Sequence, residues 1–310
     1  MDPNAPAPVV VLAGGTGGAK LARGLLDVAG DDLVVIANTG DDVEMYGAHV
    51  SPDPDLCTFW LADRIDARGW GLDGDTFHVM DGLRELGVDV WFNLGDRDLA
   101  YGVRRAELLA GGARLTEALA ELTAALGLDG RASVLPMADA PVRTAVRSGQ
   151  RWIPFQEFMI RERAAVPIDD VRFDGIDAAA PPPEALEAIA RARAIVIGPS
   201  NPIISIRPIL EVPGMRDALR AAAAPVVAVS PFVGGQVVKG PTEPFLAWAG
   251  AAPTAAGVAA LYGELLDGLV ADEPAPDAGV PVREVDTLMG DADARRRVAA
   301  EVLRFAEELR

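Results

Sequence analysis

Two short stretches near the start of the chain carry residue types suited to phosphate chemistry. The first is LAGGTGGAKL at residues 12–21, in which four glycines and a lysine follow an apolar run. Glycine lets backbone N–H groups approach an oxyanion, and a helix that begins directly after such a loop adds its dipole. The candidate phosphate contacts in this stretch are Gly14, Gly15, Thr16, Gly17, Gly18 and Lys20.

The glycine stretch does not match the two commonest phosphate-binding patterns. A dinucleotide fingerprint that starts at Gly15 would need a glycine where Lys20 stands. A Walker A loop needs glycine before the lysine and serine or threonine after it, but Ala19 and Leu21 occupy those positions. A sugar nucleotidyltransferase pattern fits only as far as Gly17. A glycine turn that merely joins strand to helix remains the simplest alternative.

The second stretch is NTGDDVEMYGAHVSPDPD at residues 38–55, which is rich in carboxylates. Asp41 and Asp42 are adjacent and repel each other unless a cation lies nearby. Mg²⁺ commonly binds one or two carboxylates together with substrate phosphates, so we predict Asp41 and Asp42 as its ligands. A solvated acidic turn is the alternative. His49, one of two histidines, is either part of a substrate pocket or a structural residue.

Lysine usage favours a phosphate site as well. Of the 28 basic residues only Lys20 and Lys239 are lysines, and Lys239 lies in a second glycine-containing stretch, GGQVVKGP. A lysine kept in a chain that otherwise uses arginine is a candidate for a compact point charge. We therefore interpret both as phosphate contacts, with a structural role as the alternative for Lys239.

The apolar pattern predicts an α/β fold with a parallel sheet. Buried strands are expected at 9–13, 33–37, 194–198 and 225–230, with a helix from about residue 19 to 29 after the first. Each strand leads into an unusual loop, and in an open parallel sheet such loops converge beyond the carboxyl ends of the strands. Residues from about 145 to 182 change character and predict a small inserted α+β subdomain within one domain of 310 residues.

The overall charge limits the partners. A net charge of −18 argues against nucleic acid or an anionic membrane as partner, and a divalent cation would reconcile it with a phosphate ester. No apolar run reaches the roughly 18 residues that span a bilayer. The start, MDPNAPAPVVV, lacks the basic and apolar parts of a signal peptide, which predicts a cytoplasmic protein. Cys57 is the single cysteine, so an intrachain disulfide is excluded.

Seven ordered segments resemble one enzyme family, the 2-phospho-L-lactate transferases of coenzyme F-420 biosynthesis in their actinobacterial form. The resemblance runs to about residue 262, with the core at about 8–265 and residues 266–310 as an extension outside it. The segments are LAGGTGGAKLARGL, VIANTGDDVEMYGAHVSPDPD, WFNLGDRDLA, VLPMADAPVRT, FQEFMIRER, IGPSNPIISIRPIL and VVAVSPFVGGQVVKGP.

This resemblance implies a Rossmann-like, Mg²⁺-dependent homodimer that uses two substrates. A hydroxyl of the deazaflavin Fo attacks the distal phosphorus of a guanosine diphospho-linked three-carbon acid, and GMP leaves. The acid is lactate in archaeal members and enolpyruvate in actinobacterial ones, with glycerate a further possibility. The arginine-rich, lysine-poor composition is typical of a bacterium with a high-GC genome. It therefore favours the enolpyruvyl donor of the actinobacterial members.

The resemblance also implies roles for particular residues. Asp41 and Asp42 would hold Mg²⁺, and either of them can accept the proton of the Fo hydroxyl. The glycines would bring N–H groups to the guanosine end or its phosphates. The remaining substrate contacts would be Asn38, Thr39, His49, Asp53, Asp55, Asp96, Arg97, Ser200, Asn201, Ser205 and Lys239. For Asp96 and Arg97, an internal ion pair is the alternative.

Three other functions stay open at this point. A sister family shares the sheet and the glycine stretch, binds nucleotide-sugars and acts as a regulator without Fo consumption. A sugar nucleotidyltransferase is disfavoured because its motif lapses after Gly17, and an NAD-dependent oxidoreductase because the fingerprint fails.

Overall fold

The structure, a computed structural model, describes residues 7–310. Residues 1–6, on which part of the signal-peptide prediction rests, lie outside this range. The strands are β1 Val9–Ala13, β2 Leu33–Ala37, β3 Val43–Met45, β4 Ala48–Val50, β5 Ala132–Pro136, β6 Arg143–Ser148, β7 Arg151–Pro154, β8 Asp170–Asp174, β9 Ala194–Ile197, β10 Val226–Val229, β11 Phe232–Val233, β12 Gln236–Val237, β13 Gly268–Ala271 and β14 Val282–Glu284.

Helices alternate with these strands for most of the chain. They are α1 Gly15–Ala29, α2 Pro52–Leu61, α3 His78–Glu85, α4 Asp96–Ala110, α5 Leu115–Ala125, α6 Phe155–Ile160, α7 Pro183–Arg191, α8 Arg207–Glu211, α9 Met215–Ala221, α10 Thr242–Trp248, α11 Ala255–Tyr262 and α12 Ala292–Glu308. None of the helices within residues 7–310 is long and apolar enough to cross a bilayer.

Seven parallel strands form the principal sheet, in the order β14-β13-β10-β9-β1-β2-β5. The chain leaves β1 towards β2 on one side and later returns to β9 on the other. The carboxyl ends of β1 and β9 are therefore a topological switch point, where open α/β sheets bind their ligands. The predicted α/β class with a Rossmann-like parallel sheet is confirmed.

The sheet is buried on both faces, as the β-branched strands lead one to expect. Val9 and Val11 point to one face, which is covered by α1, α2 and α12. Val10 and Leu12 point to the other, which is covered by α7, α9 and α11. This alternation holds the carboxyl ends of the strands in fixed positions, and the predicted site residues lie mainly in the loops and helix starts beyond those ends.

Helix α1 begins earlier than the sequence predicts. We expected a glycine loop followed by a helix from about residue 19, but the helix starts at Gly15. The glycine stretch is therefore mostly the first turn of α1, and only Gly14, in an extended conformation before the helix, belongs to the loop. The N-terminus of α1 is thereby placed directly at the carboxyl end of β1.

The C-terminal region is also different from the expectation. Residues 266–310 were expected to lie outside the core, but β13 pairs with β10, β14 pairs with β13, and α12 packs on the face that carries α1. The region completes the principal sheet. Residues 143–174 form a separate antiparallel sheet, β7-β6-β8, with α6 beside it, at the position where we predicted an inserted α+β subdomain.

Candidate functional site

A cavity of about 350 Å³ lies at the carboxyl ends of β1 and β9. We call it the glycine cavity, and its volume is in the range of small-molecule sites. Eleven of the predicted site residues line it: Gly14, Gly15, Thr16, Gly17, Lys20, Asp41, Asp53, Ser200, Asn201, Ser205 and Lys239. The structure thus brings together residues that are up to 225 positions apart in the chain.

The first two glycine N–H groups are used within the protein. Gly14 donates to the hydroxyl of Ser200 at 3.1 Å, and Gly15 donates to Oδ1 of Asp53 at 2.6 Å. These bonds join the loop after β9 and the start of α2 to the glycine turn. A bound anion would therefore meet the N-terminus of α1 further along, where Thr16 and Gly17 line the cavity.

Gly17 and Gly18 are needed for close packing. A Cβ on Gly17 would lie 2.1 Å from the carbonyl oxygen of Pro199. A Cβ on Gly18 would lie 2.6 Å from the hydroxyl of Ser200. Both glycines let the first turn of α1 press against the loop after β9. Gly18 lies behind the glycine cavity, so packing is the role that the structure gives it.

Both lysines of the chain reach the glycine cavity. Lys20 donates from Nζ to the carbonyl oxygen of Met289 at 3.3 Å, and its ammonium lies 5.7 Å from the ring of Trp60. Burial, together with the positive charges of Arg295 and Lys239, lowers the pKa of Lys20. Nζ of Lys239 is 3.5 Å from the hydroxyl of Thr16, a long contact. The two ammonium groups and the N-terminus of α1 make this part of the cavity electropositive.

A second cavity, of about 500 Å³, adjoins the first. We call it the hairpin cavity because the β3–β4 hairpin forms one wall of it. The antiparallel sheet β7-β6-β8 supplies much of the rest. Its lining includes Asp41, Asp42, Glu44, Met45, Trp91, Arg143, Thr144, Trp152, Phe155, Gln156 and Arg172. Asp41 and Phe155 line both cavities, so the two meet at these residues.

Asp41 is the titratable group at this junction. Asp41 is 7 % exposed, and its Oδ1 is buried without a hydrogen-bond partner among the described residues. Burial, followed by the negative charge of Asp53, raises its pKa well above the usual value. Burial also raises the pKa of Asp53 to about 6, and the charge of Asp42 acts in the same direction. Three carboxylates thus crowd one buried region.

These carboxylates suit a divalent cation whose coordination shell is completed by water and a bound substrate. Asp41 offers an unpartnered carboxylate oxygen, and a cation would relieve its repulsion with Asp53. Within residues 7–310, no three His, Cys, Asp or Glu side chains are arranged to hold a metal alone. Mg²⁺ regularly takes its remaining ligands from water and substrate phosphates, so two carboxylates are sufficient.

Asp42 faces the hairpin cavity and is fixed on both oxygens. The hydroxyl of Ser51 donates to Oδ1 at 2.7 Å, and Nε2 of His49 is 2.9 Å from Oδ2. His49 was predicted as a substrate contact, but the structure places it behind Asp42. Its ring is thus a partner of a cavity residue and does not itself line either cavity among the described residues.

Three other predicted residues support the site from beneath. Asn38 donates to Oδ2 of Asp53 at 2.9 Å and accepts from the N–H of Gly40 at 2.9 Å. Thr39 is buried, and its hydroxyl has no partner among the described residues. Asp55 forms a buried ion pair with Arg105. Asn38 thus joins the turn after β2 to the start of α2, and the Asp55–Arg105 pair joins α2 to α4.

Asp96 and Arg97 do not line either of the two cavities that the described residues form. Asp96 accepts from the N–H groups of His78 and Val79 at 3.0 and 2.9 Å and from the Thr76 hydroxyl at 2.6 Å. It therefore satisfies free N–H groups at the start of α3. In place of the substrate contact predicted from sequence, the structure gives Asp96 this supporting role.

Several cavity residues carried no role in the sequence analysis. Some lie on the antiparallel sheet and α6, one lies between α3 and α4, and the others follow β10 or β14 or begin α10. Because loops after parallel strands converge at one edge of the sheet, recognition of β14 as a strand would have indicated the loop after it. These residues are Trp91, Arg143, Trp152, Phe155, Gln156, Met159, Ser230, Thr242, Thr287, Leu288, Met289 and Gly290.

Fold and site together define an α/β protein with a cavity at the switch point of its sheet. Two lysines and the N-terminus of α1 make one part of this cavity electropositive, and a carboxylate cluster lies where a second cavity joins it. Comparison with known families then gives the particular class. The family model described as 2-phospho-L-lactate transferase CofD matches residues 9–302, and the chain belongs to this family. The resemblance found in the sequence is confirmed, and the match continues through β13, β14 and most of α12.

Curated relatives cover nearly the whole chain. A phosphoenolpyruvate transferase from Kitasatospora aureofaciens is 42% identical, over 97% of this chain and 98% of its own length. One from Streptomyces coelicolor is also 42% identical, over 97% and 99%. A 2-phospho-L-lactate transferase from Methanosarcina mazei is 35% identical, over 94% and 98%.

A solved structure supports the fold independently. A UPF0052 family protein from Bacillus halodurans superposes with a TM-score of 0.63, at 18% identity, over 96% of this chain and 99% of its own. At this identity the likeness concerns the fold alone.

Proposed function

We propose that this protein transfers a phosphoenolpyruvyl group from a guanosine diphospho-linked donor to the ribityl hydroxyl of Fo, with release of GMP and formation of dehydro coenzyme F-420-0. The observation that carries this proposal is the position of Asp41 in the walls of both cavities. Two substrates that exchange a group must meet at one point, and the two cavities meet at this carboxylate.

The glycine cavity is proposed to bind the donor. Its two lysines and the N-terminus of α1 provide positive charge for a diphosphate in a protein of net charge −18. Neutral hydroxyl and amide groups on Ser200, Asn201 and Ser205 can bind phosphate or guanosine oxygens. The hairpin cavity, with Trp91 and Trp152 in its wall, is proposed to bind the planar deazaflavin.

Mg²⁺ is proposed at the junction, where Asp41 and Asp53 would hold it against the donor phosphates. Asp41 is retained from the sequence analysis as a ligand. Asp53 replaces Asp42 as the second ligand because Asp53 lines the donor side, whereas Asp42 lines only the hairpin cavity. The cation, when bound, would neutralise charge that develops on the phosphate oxygens.

The residues of the chain supply positioning and proton acceptance. Asp42 would accept the proton of the Fo hydroxyl as that oxygen forms a bond to the distal phosphorus. The bond between this phosphorus and the oxygen bridging to the guanosine phosphate breaks, and GMP leaves with that oxygen. Lys20 and Lys239 would stabilise the charge on the leaving phosphate, as expected for a displacement that depends on electrostatics.

The enolpyruvyl donor is favoured over the lactyl donor by the relatives. The phosphoenolpyruvate transferases from Kitasatospora aureofaciens and Streptomyces coelicolor are 42% identical, whereas the Methanosarcina mazei 2-phospho-L-lactate transferase is 35% identical. The curated relatives also favour a transferase over the regulatory alternative, because they are named as transferases at 42% and 35% identity over nearly the whole chain.

The test is incubation of the purified protein with Fo, Mg²⁺ and either the enolpyruvyl or the lactyl guanosine donor. We expect GMP release and a product with the mass of Fo plus the phosphoenolpyruvyl group, faster with the enolpyruvyl donor. Omission of Fo is the control for donor hydrolysis. Release of no GMP from either donor would contradict the proposal, and nucleotide binding without Fo consumption would favour the regulatory alternative.

A further inference from the structure

His49 lies between two carboxylates on the β3–β4 hairpin. Its Nε2 is 2.9 Å from Oδ2 of Asp42, and its Nδ1 is 3.4 Å from Oε1 of Glu44. The same Glu44 oxygen accepts from Arg143 at 2.6 Å. The side chains form a continuous line from a buried carboxylate to the solvent, and three of them, Asp42, Glu44 and Arg143, line the hairpin cavity.

The backbone of His49 is anchored independently of its ring. The buried guanidinium of Arg105 donates to the carbonyl oxygen of His49 at 2.8 Å. Gly102 of α4 permits this approach, because a Cβ there would lie 3.2 Å from that oxygen. The residue is thus held from two sides, by α4 through its backbone carbonyl and by Asp42 through Nε2 of its ring.

Stability alone is a poor explanation for this arrangement. Asp42 is 3 % exposed, and burying a charged or polar pair costs free energy that the pair barely recovers. The Glu44 side chain is 68% exposed, and ion pairs of that kind contribute little to stability. The effect of the arrangement is geometric. An ionised carboxylate only accepts hydrogen bonds, so Ser51 and His49 must donate to its two oxygens, and together they fix its plane.

We propose that His49 is the positioning residue for Asp42. It holds the Asp42 carboxylate in the orientation that accepts the proton of the Fo hydroxyl in the hairpin cavity. This inference rests on the proposed function. A displacement of about 1 Å at a reacting group can cost about 100-fold in rate. His49 therefore acts on the rate of transfer through Asp42, while the binding of either substrate is left to other residues.

Kinetics of His49→Leu and His49→Gln provide the first test. We expect His49→Leu to lower kcat on the order of 100-fold, with KM for donor and acceptor changed less than about threefold. His49→Gln, whose amide can donate to Asp42, should recover about tenfold of that loss. In an Asp42→Asn background, His49→Leu should cause no further loss, since the residue acts through Asp42. His78→Leu, at the exposed second histidine, is the matched control and should leave kcat unchanged.

The result that would overturn the inference is a rise in KM at unchanged kcat, or losses that add in the double variant. Thermal unfolding of each variant separates a folding defect from a positioning defect. The ring itself offers a readout without turnover, because His78→Gln leaves a single histidine whose Nε2–H can be followed by NMR. We expect that proton to be protected from exchange and to lose protection in Asp42→Leu.

The two proposals fail in different ways. A wild-type protein that releases no GMP contradicts the proposed function, and with it the role of His49 in that reaction. A wild-type protein that turns over, with His49→Leu equally active or with an unprotected Nε2–H, overturns only the inference about His49.

Discussion

The N–H of Gly15 donates to Oδ1 of Asp53 at 2.6 Å, and this bond joins two motifs that lie 38 residues apart. The glycine turn after β1 and the acidic start of α2 are therefore one structure. Because the N-terminus of α1 carries partial positive charge, it favours a carboxylate at this place. Asp53 thereby lies where both a donor phosphate and a cation are proposed to bind.

Asp42→Asn should reduce turnover by about 10²–10⁴-fold, the usual contribution of a positioned base. The amide has nearly the shape of the carboxylate and keeps an oxygen for Ser51, so the fold should be retained. Steady-state GMP release measures the loss, and circular dichroism checks the fold. Asp217→Asn, at a side chain 84% exposed on α9, is the matched control. Full activity in Asp42→Asn would refute the role as proton acceptor.

Lys239→Gln should raise KM for the donor about 10–100-fold, because a hydrogen bond to a charged group contributes about 1.5–3 kcal/mol. KM for Fo should stay nearly constant, since Lys239 lines the glycine cavity and does not line the hairpin cavity formed by the described residues. Arg304→Gln removes a positive charge from the exposed face of α12 and serves as control. An equal rise for both substrates would argue against a phosphate contact.

Gly17→Ala should destabilise the fold by about 1–3 kcal/mol, the usual cost of inserting a methyl group where there is no room. The added Cβ would lie 2.1 Å from the carbonyl oxygen of Pro199, which is backbone and cannot move away freely. Gly82→Ala is the control: no atom lies within 4 Å of its added Cβ, and alanine favours its helix by about 1 kcal/mol. Urea denaturation that shows equal stability for both variants would contradict the packing role.

Asp98 should make the fold less stable as the pH rises. Burial, then the charges of Asp55 and Asp75, raise the pKa of Asp98 to about 7. The unfolded chain releases this proton near pH 3.9, so the folded state binds more protons between about pH 4 and 7. The resulting stabilisation is present at low pH and is lost as the pH rises through 7.

The comparison of wild type with Asp98→Asn checks this dependence. Each unit of difference between the folded and unfolded pKa corresponds to roughly 1.4 kcal/mol, so the expected loss of stability is on the order of a few kcal/mol. The free energy of unfolding, measured in urea, should decrease from pH 5 to pH 8 for the wild type. It should decrease less for Asp98→Asn. Equal decreases in the two proteins would show that another group is responsible.

The sheet and the glycine cavity could be predicted because their signals are local. A β-branched run such as Val9–Ala13 marks a buried strand, and the residues directly after it reach the carboxyl edge of the sheet. Composition singled out Lys20 and Lys239 as candidate phosphate contacts, and the structure brings both to the glycine cavity. β14 was missed because two of its three residues, Arg283 and Glu284, are charged and the strand is too short to give a periodic signal.

The hairpin cavity could not be predicted for a different reason. Its walls come from β3, β6, β7 and the segment at Trp91, which are brought together only by tertiary packing. The partners of His49 are close to it in sequence, but their geometry depends on the turn between β3 and β4. The sequence places His49 seven residues after Asp42, but only the hairpin turn brings its Nε2 to within 2.9 Å of that carboxylate.

The central claim is that donor and acceptor bind in two cavities that meet at Asp41. A crystal structure with Mg²⁺, GDP and Fo tests it most directly. We expect the distal phosphorus of GDP in the glycine cavity beside Asp41, and the terminal ribityl oxygen of Fo about 3–3.5 Å from it and within hydrogen-bond distance of Asp42. Fo bound outside the hairpin cavity, or with its ribityl chain directed away from Asp42, would contradict the account.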